Sequence, residues 1–190
     1  MLLILGSSFS ACFAANAVKM RPYSGIGVTV LPGVIPGQET PQPIYLYQEP
    51  GLSRVGAINV AKLTGNEWIF GPQASQIPLI VTARKENWLR VCYDDAGREA
   101  WIDPQRRDAF QTWDVFFKSR MSSMLPGLRK QYYLLYLQPD QNPGVTLTHK
   151  QTFKVLKLEN DWAMVLSGQS TIGWLRWRDE DGRLTIGLDF

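Results

Sequence analysis

Few side chains in this sequence could carry out covalent chemistry. The chain of 190 residues has one histidine, His149, and two cysteines, Cys12 and Cys92. A Cys–His pair is the machinery of thiol hydrolases, in which the cysteine usually stands at a helix N-terminus that lowers its pKa. Cys92 instead lies inside the strand-like run Trp88–Tyr93, where a thiol acts as a small hydrophobe, and we expect His149 in a loop. We therefore predict that the protein is not an enzyme and needs no cofactor.

Metal binding and acid–base chemistry also lack a residue pattern. His149 and the one cysteine that remains if the N-terminus is cleaved, Cys92, do not make a zinc site. The acidic clusters Asp94-Asp95 and Asp179-Glu180-Asp181 stand just before Gly97 and Gly182. Aspartate bonds its own backbone in such turns, so turn formation accounts for both clusters. The run Gly25-Ile26-Gly27 has no lysine or following helix that would make it a phosphate loop.

The composition indicates a small globular protein with a thin, aromatic core. Hydrophobic residues make up 45% and charged residues 19% of the chain, and there are seven Trp, seven Tyr and eight Phe. Large rings let a small β-barrel bury enough area, so this composition is typical of such folds. The net charge of +3 is too weak to argue for nucleic acid, which we do not expect as a partner.

The N-terminal residues 1–17 are predicted to be a signal peptide. They begin with the apolar run Leu2–Leu5, carry no charge, and offer small residues for cleavage after Ala14 or Ala17. The stretch is shorter than the ~20 apolar residues of a membrane-spanning helix. A basic start is missing, which suggests a translation start upstream. We expect export to the periplasm or cell surface. Two alternatives remain: a lipoprotein anchored at Cys12, or a structural N-terminus.

The rest of the chain contains an internal repeat. Val81 precedes Trp88 by seven residues, and Val155 precedes Trp162 by seven. A second tryptophan follows thirteen residues after Trp88 and twelve after Trp162. Each stretch reads as four or five short alternating strands separated by turn residues. The pattern predicts an all-β protein made of two tandem modules.

The motifs of both stretches resemble the bacterial SH3-like domain. The pattern of that domain is an opening Val/Ile-x-x-Tyr strand, a Pro/Gly turn, an Asp/Asn-Trp-x-x-Val strand, and, after a Gly-containing turn, a Gly/Ala-Trp-Ile/Leu strand. They fall at Ile44–Tyr47, Trp88–Val91 and Ala100–Ile102, and again at Tyr133–Tyr136, Trp162–Val165 and Gly173–Leu175. The resemblance implies two small barrels, at residues 44–104 and 132–190. The first departs from the pattern by the insertion Thr64–Gln76, where the long first loop of the barrel would lie.

Two segments flank these modules. Residues 18–43 are predicted to form a strand, around Ile26–Val30, and an extended connection. Residues 105–131 are predicted to be a helical linker, because aromatic and methionine residues recur every three or four positions over Arg106–Met124. This face either seals the two barrels together or, with its basic flanks, contacts a membrane peripherally.

The resemblance also suggests where a ligand would bind. Strand alternation puts Trp88 on the outer side of its sheet, with Trp162 placed in the same way. By position, Tyr47 with Trp88 and Tyr136 with Trp162 correspond to the aromatic pairs that line a groove for extended peptides in SH3-like folds. The alternative is that these rings pack against the long loop or the sister domain.

We therefore predict a non-catalytic binding or adaptor protein of the bacterial envelope, recognising a cell-wall peptide or an envelope protein. A structural subunit without a groove and a wall hydrolase are the alternatives.

Overall fold

The structure is a computed structural model that describes most of the chain after residue 19. The described residues are 20–33, 37, 39, 41–60, 63, 67–71, 76–94, 96–104, 109–148 and 150–189. The predicted signal peptide, Cys12 and His149 lie outside them. The described part is mostly β-strand, arranged in two sheets, which confirms the predicted all-β class.

The first sheet has seven strands in the order β3-β2-β6-β5-β4-β1-β7. These are β1 (Gly27–Pro32), β2 (Ile44–Glu49), β3 (Leu52–Ile58), β4 (Gln76–Lys85), β5 (Trp88–Cys92), β6 (Glu99–Ile102) and β7 (Phe110–Gln111). Every neighbouring pair is antiparallel. The strand predicted around Ile26–Val30 is β1, and it belongs to this sheet through its pairing with β4.

The second sheet also has seven strands, in the order β10-β9-β13-β12-β11-β8-β14. These are β8 (Met121–Met124), β9 (Leu134–Tyr136), β10 (Pro143–Thr146), β11 (Thr152–Glu159), β12 (Trp162–Ser167), β13 (Thr171–Arg176) and β14 (Ile186–Leu188). Adding seven to each strand number of the first sheet reproduces this order. The two sheets also share an irregularity in strand pairing. The register of β4 with β5 shifts between Val81 and Ala83, and the register of β11 with β12 shifts between Val155 and Lys157. The internal repeat therefore extends beyond the motifs and includes one further strand before and one after them. These strands are β1 and β7 in the first sheet and β8 and β14 in the second.

The helical segment is much shorter than predicted. Helix α2 spans Trp113–Lys118, and the Thr112 hydroxyl accepts a hydrogen bond from the Val115 N–H at its N-terminus. The predicted helical linker over 105–131 is wrong in its extent, since Met121–Met124 is strand β8 and a short 3₁₀ helix occupies Lys130–Tyr133. Methionines three apart suit a helix face, but β11 and β14 pair with this segment from both sides. Backbone pairing to distant strands overrides the local pattern.

The aromatic face of α2 is buried where the two sheets meet. Trp113, Phe116 and Phe117 are almost fully buried and contact one another through their rings. Trp113 and Phe117 also contact the ring of Trp177. The cluster that contains them joins residues of both sheets. Each such ring contributes on the order of 2–3 kcal/mol through burial. Among the described residues, no helix has the length and apolar character needed to cross a membrane.

The insertion of the first repeat reaches the second sheet. It contains helix α1 (Glu67–Phe70), whose Ile69 and Phe70 are buried. Phe70 packs on Trp113 and Phe116, and the backbone of Ile69 lies against Gly187 of β14. The insertion thus fastens the first repeat to the last strand of the second.

Candidate ligand-binding site

The structure brings together both predicted aromatic pairs. Tyr47 of β2 and Trp88 of β5 meet with ring centroids 5.2 Å apart and planes at 84°. Tyr136 of β9 and Trp162 of β12 meet at 5.2 Å and 83°. This edge-to-face arrangement is one that aromatic pairs favour, because the positive ring edge faces the negative ring face. The two repeats therefore build the same side-chain arrangement from equivalent strands.

A second tryptophan stands beside each pair on the strand between. Trp101 of β6 lies opposite Tyr47 on one side and Arg90 on the other. Trp174 of β13 lies opposite Tyr136 and Met164 in the same way. Residues opposite each other in neighbouring strands share a face. Each site is therefore an aromatic surface on the outer face of its sheet.

The faces of β5 agree with the alternation expected from the sequence. Leu89 and Val91 are buried, whereas Trp88 and Cys92 are half-buried and Arg90 is exposed. The alternation follows from strand geometry, because successive side chains point to opposite sides of the sheet. The buried side chains of β5 thus anchor the strand in the core and fix the positions of the side chains on its outer face.

The two sites differ in how far they are covered. Trp88 is half-buried. Gly51, in the turn between β2 and β3, lies next to the Trp88 indole, and as a glycine it has no side chain that would cover the ring. Trp162 is only 7% exposed. The guanidinium of Arg176 lies over the Trp162 ring, 4.9 Å from the centroid. Trp162 therefore lies on the outer face of its sheet, but Arg176 covers it there.

Arg176 is fixed over Trp162 by acidic partners. Its Nη2 donates a hydrogen bond to Asp140 Oδ1 at 3.2 Å, and its Nη1 lies 3.9 Å from Glu180 Oε1. In the first repeat, the ion pair near the aromatic surface joins Arg90 to Glu99 at 3.0 Å. Sequence reasoning missed Arg176. The sequence signal for Arg176 is its position two residues after Trp174. Only the pairing register of β12 with β13 shows that this position lies opposite Trp162.

The thiol and the carboxylates occupy structural positions. Cys92 ends β5, and its Sγ lies 3.5 Å from the Asp94 carbonyl oxygen rather than at a helix N-terminus. Asp94 accepts hydrogen bonds from the backbone N–H and the guanidinium of Arg98, as expected of a turn. Burial raises the pKa of Asp94, but these bonds outweigh it and hold the pKa below its usual value. Within the described ranges, no group of three His, Cys, Asp or Glu could hold a metal.

Asp179 has the same role in the turn that ends with Gly182. Its carboxylate accepts bonds from the backbone N–H groups of Asp181 and Arg183 and from the Arg21 guanidinium. Burial raises its pKa, and the Arg183 N–H and Arg21 lower it by more, so the net shift is downward. This turn is therefore accounted for by structure, as the sequence suggested.

Comparison with known proteins gives no relationship that would assign this site. No protein-family model matches the chain, and a search of curated proteins found no match. The resemblance to bacterial SH3-like domains rests on the motifs of the two repeats alone.

Proposed function

We propose that this chain is a non-catalytic binding protein of the bacterial envelope, made of two SH3-like barrels in tandem. Its ligand is a cell-wall peptide or an envelope protein, bound at the aromatic surface of the first repeat. The observation that carries the proposal is the edge-to-face contact of Tyr47 with Trp88, whose indole is only half-buried. Export through the N-terminal segment is part of the proposal.

The fold supports the barrel assignment in two ways. The strand order and the register shift of β4–β5 are repeated in β11–β12. Strongly bulged antiparallel sheets curl, because each bulge adds local twist. Two sheets of equal strand order therefore fit a duplicated small β-fold of the kind that the motifs resemble.

The surface around Trp88 supports binding rather than packing. Trp and Tyr are the residues that most often dominate the affinity of interfaces, because they bury a large area with little loss of conformational freedom. In the first repeat, helix α1, which belongs to the described part of the insertion, packs on β14 of the second sheet. Extended peptides use such surfaces on small β-folds.

A structural or accessory subunit is the second candidate. The burial of Trp162 beneath Arg176 favours it for the second repeat, whose aromatic pair takes part in packing. In that function, the second repeat would stabilise the first and bind nothing itself.

The test compares Trp88→Ala and Trp162→Ala for retention on purified peptidoglycan sacculi. We expect Trp88→Ala to weaken retention by about thirtyfold, as for a central interface aromatic worth ~2 kcal/mol. Trp162→Ala should instead lower the melting temperature first, because truncating a buried Trp costs about 3–5 kcal/mol. The control is the double variant Cys92→Ala with His149→Ala, which should change neither retention nor any wall cleavage.

Two results would contradict the proposal. Unchanged retention of a folded Trp88→Ala protein would remove the aromatic surface as the site. A wall-cleaving activity abolished by the Cys92/His149 double variant would show an enzyme.

A further inference from the structure

Each aromatic residue of the first site pairs with a cationic residue on a neighbouring strand. In the register of the first sheet, Tyr47 lies opposite Arg54, Trp88 lies opposite Lys85, and Trp101 lies opposite Arg90. Residues opposite each other in neighbouring strands share a face, so the three cationic side chains belong to the outer face with the rings. Positive charge therefore flanks the aromatic surface around Trp88.

The second repeat has none of these cations. At the equivalent positions it carries Pro143 opposite Tyr136, Glu159 opposite Trp162, and Met164 opposite Trp174. Its tryptophan Trp162 is the one that Arg176 covers, whereas Trp88 is only half-buried. The cations are therefore a feature of the more open site and are not required by the strand arrangement that both repeats share.

Lys85 is the cation of this surface that is available to a ligand. Its side chain is exposed, and it forms no ion pair within the described part of the chain. Arg90 is already paired with Glu99 at 3.0 Å, and the guanidinium of Arg54 lies over the Tyr45 ring, 3.5 Å from its centroid. A ligand can therefore pair with Lys85 without first breaking an ion pair.

The acidic residues of this face do not neutralise Lys85. Glu99 is already in an ion pair, and Asp103 takes part in an interaction of its own. Glu99 begins β6 and Asp103 follows that strand, on the other side of β5 from Lys85, and Glu49 lies on β2, one strand farther away. Glu86 follows Lys85 in the β4–β5 turn, where the described ion pairs do not involve it. The β4 flank of the site therefore offers a positive charge.

We propose that the aromatic surface of the first repeat binds an acidic segment of a peptide partner, with a carboxylate of the ligand paired to the Lys85 ammonium. This inference rests on the proposed function, because it names the chemical class of ligand that the same site takes. The apolar part of the ligand packs on the half-buried Trp88 indole, next to Tyr47. Charge-assisted hydrogen bonds are stronger than neutral ones, so the carboxylate selects the ligand while the rings supply contact area.

The first experiment follows the tryptophan indole N–H signals of the whole ¹⁵N-labelled protein as a peptide is added. The probes are a short peptide that alternates glutamate with leucine, and its analogue with glutamine in place of each glutamate. Both are acetylated and amidated, so that side chains alone carry the charge. We expect the acidic peptide to shift the Trp88 signal in a saturable way and to bind about fivefold more tightly than the analogue at low salt. Equal affinities, or no response at Trp88, would overturn the inference.

Charge reversal at Lys85 is the second experiment. Lys85→Glu gives the first repeat the residue type that the second repeat has at Glu159, and it should weaken binding of the acidic peptide about tenfold. Binding of the glutamine analogue should not change. The control is Lys154→Glu, which makes the same change of net charge at an exposed lysine of the second sheet and should leave the affinity unchanged. The melting temperature checks that each variant is folded.

Two results with these variants would contradict the inference. A folded Lys85→Glu protein that binds the acidic peptide as tightly as the wild type would remove Lys85 as the partner of the carboxylate. Equal weakening by Lys154→Glu and Lys85→Glu would show an attraction to net charge rather than a site beside Trp88.

The two proposals can fail separately. If Trp88→Ala loses retention on sacculi but the acidic and neutral peptides bind equally, the binding function holds and the preference for acidic ligands is wrong. If the acidic peptide is preferred at Trp88 but the wild type is not retained on sacculi, the preference holds and the cell-wall peptide is wrong as the ligand.

Discussion

Thr29 of β1 and Ser122 of β8 occupy the same position in the two sheets, and each buries a hydroxyl group that makes no hydrogen bond with the described residues. Thr29 lies between β4 and β7, and Ser122 lies between β11 and β14, in the equivalent register. Both residues are fully buried. Within the described part of the chain, they are the two buried side chains whose polar atoms lack a hydrogen bond. The repeat has thus kept a small polar residue here in both copies.

Replacing these hydroxyl groups should stabilise the protein. We predict that Thr29→Val and Ser122→Ala each raise the free energy of unfolding by about 1 kcal/mol, because a buried polar group without a partner is costly. Urea denaturation of each variant measures the effect.

The matched control is Thr185→Val, since the Thr185 hydroxyl is equally buried but donates a hydrogen bond to the Arg176 carbonyl oxygen. This variant should lose about 1 kcal/mol. Equal losses for Thr29→Val and Thr185→Val would show that Thr29 has a partner in solution.

Gly187 should not tolerate a side chain. A Cβ atom there would stand 2.5 Å from the carbonyl oxygen of Ile69 in α1, and that oxygen belongs to backbone that cannot swing away. Gly187→Ala should therefore push α1 off β14 and lower the free energy of unfolding by about 1–3 kcal/mol. Thermal denaturation measures this loss.

Gly56→Ala is the control for the loss of a glycine in a strand. Its Cβ would come no closer than 3.9 Å to another residue, the side chain of Leu46. We expect it to be neutral within a few tenths of a kcal/mol. A harmless Gly187→Ala would mean that α1 does not pack on β14.

The ion pair of Arg21 with Asp179 should make stability depend on pH. The Arg21 Nη2 lies 2.5 Å from Asp179 Oδ2, and Asp179 is 4% exposed. The pKa of Asp179 is lowered in the folded protein, so its contribution is present above its unfolded pKa near 4 and is lost as the pH falls through the folded value. Arg21→Ala should cost about 1–2 kcal/mol at pH 7 and much less near pH 2.

Urea denaturation at the two pH values measures the difference. Arg98→Ala is the comparison, because the Arg98–Asp94 pair is exposed and should matter little to stability. A cost for Arg21→Ala that is the same at both pH values would contradict the assignment.

Export makes a separate prediction about the mature protein. Expressed from its own gene, the protein should be found outside the cytoplasm and begin near Ala15 or Val18. Mass spectrometry of the purified protein measures the N-terminus. An acylated Cys12 would select the lipoprotein alternative, and an intact Met1 in the cytoplasm would contradict export.

The aromatic pairs could be predicted because the motifs that resemble SH3-like domains place a tyrosine and a tryptophan at equivalent positions in each repeat. The alternation that put Trp88 on the outer face is visible in the burial of β5, whereas Trp162 and Ala163 of β12 are both buried. Strand β8 could not be predicted, since Met121 and Met124 stand three apart, a spacing that also suits a helix. Its strand state depends on pairing with β14, more than 60 residues later. Arg176 was missed because its contact with Trp162 depends on how β12 and β13 are paired. The alternation of apolar and polar residues along one strand does not reveal that pairing.

The packing of α1 on β14 has a consequence for how the protein is made. The helix spans Glu67–Phe70, and its packing surface on β14 emerges from the ribosome more than 100 residues later. The cluster around α2 likewise draws residues from both sheets, whereas the first sheet also has a buried cluster of its own that includes Val81, Leu89 and Val91. During synthesis the first sheet therefore has a core to form around, but Ile69 and Phe70 of α1 stay uncovered until the second sheet has been made. We expect these uncovered apolar residues to make the nascent chain dependent on chaperones until then, and the shared cluster to make the finished protein melt in a single transition.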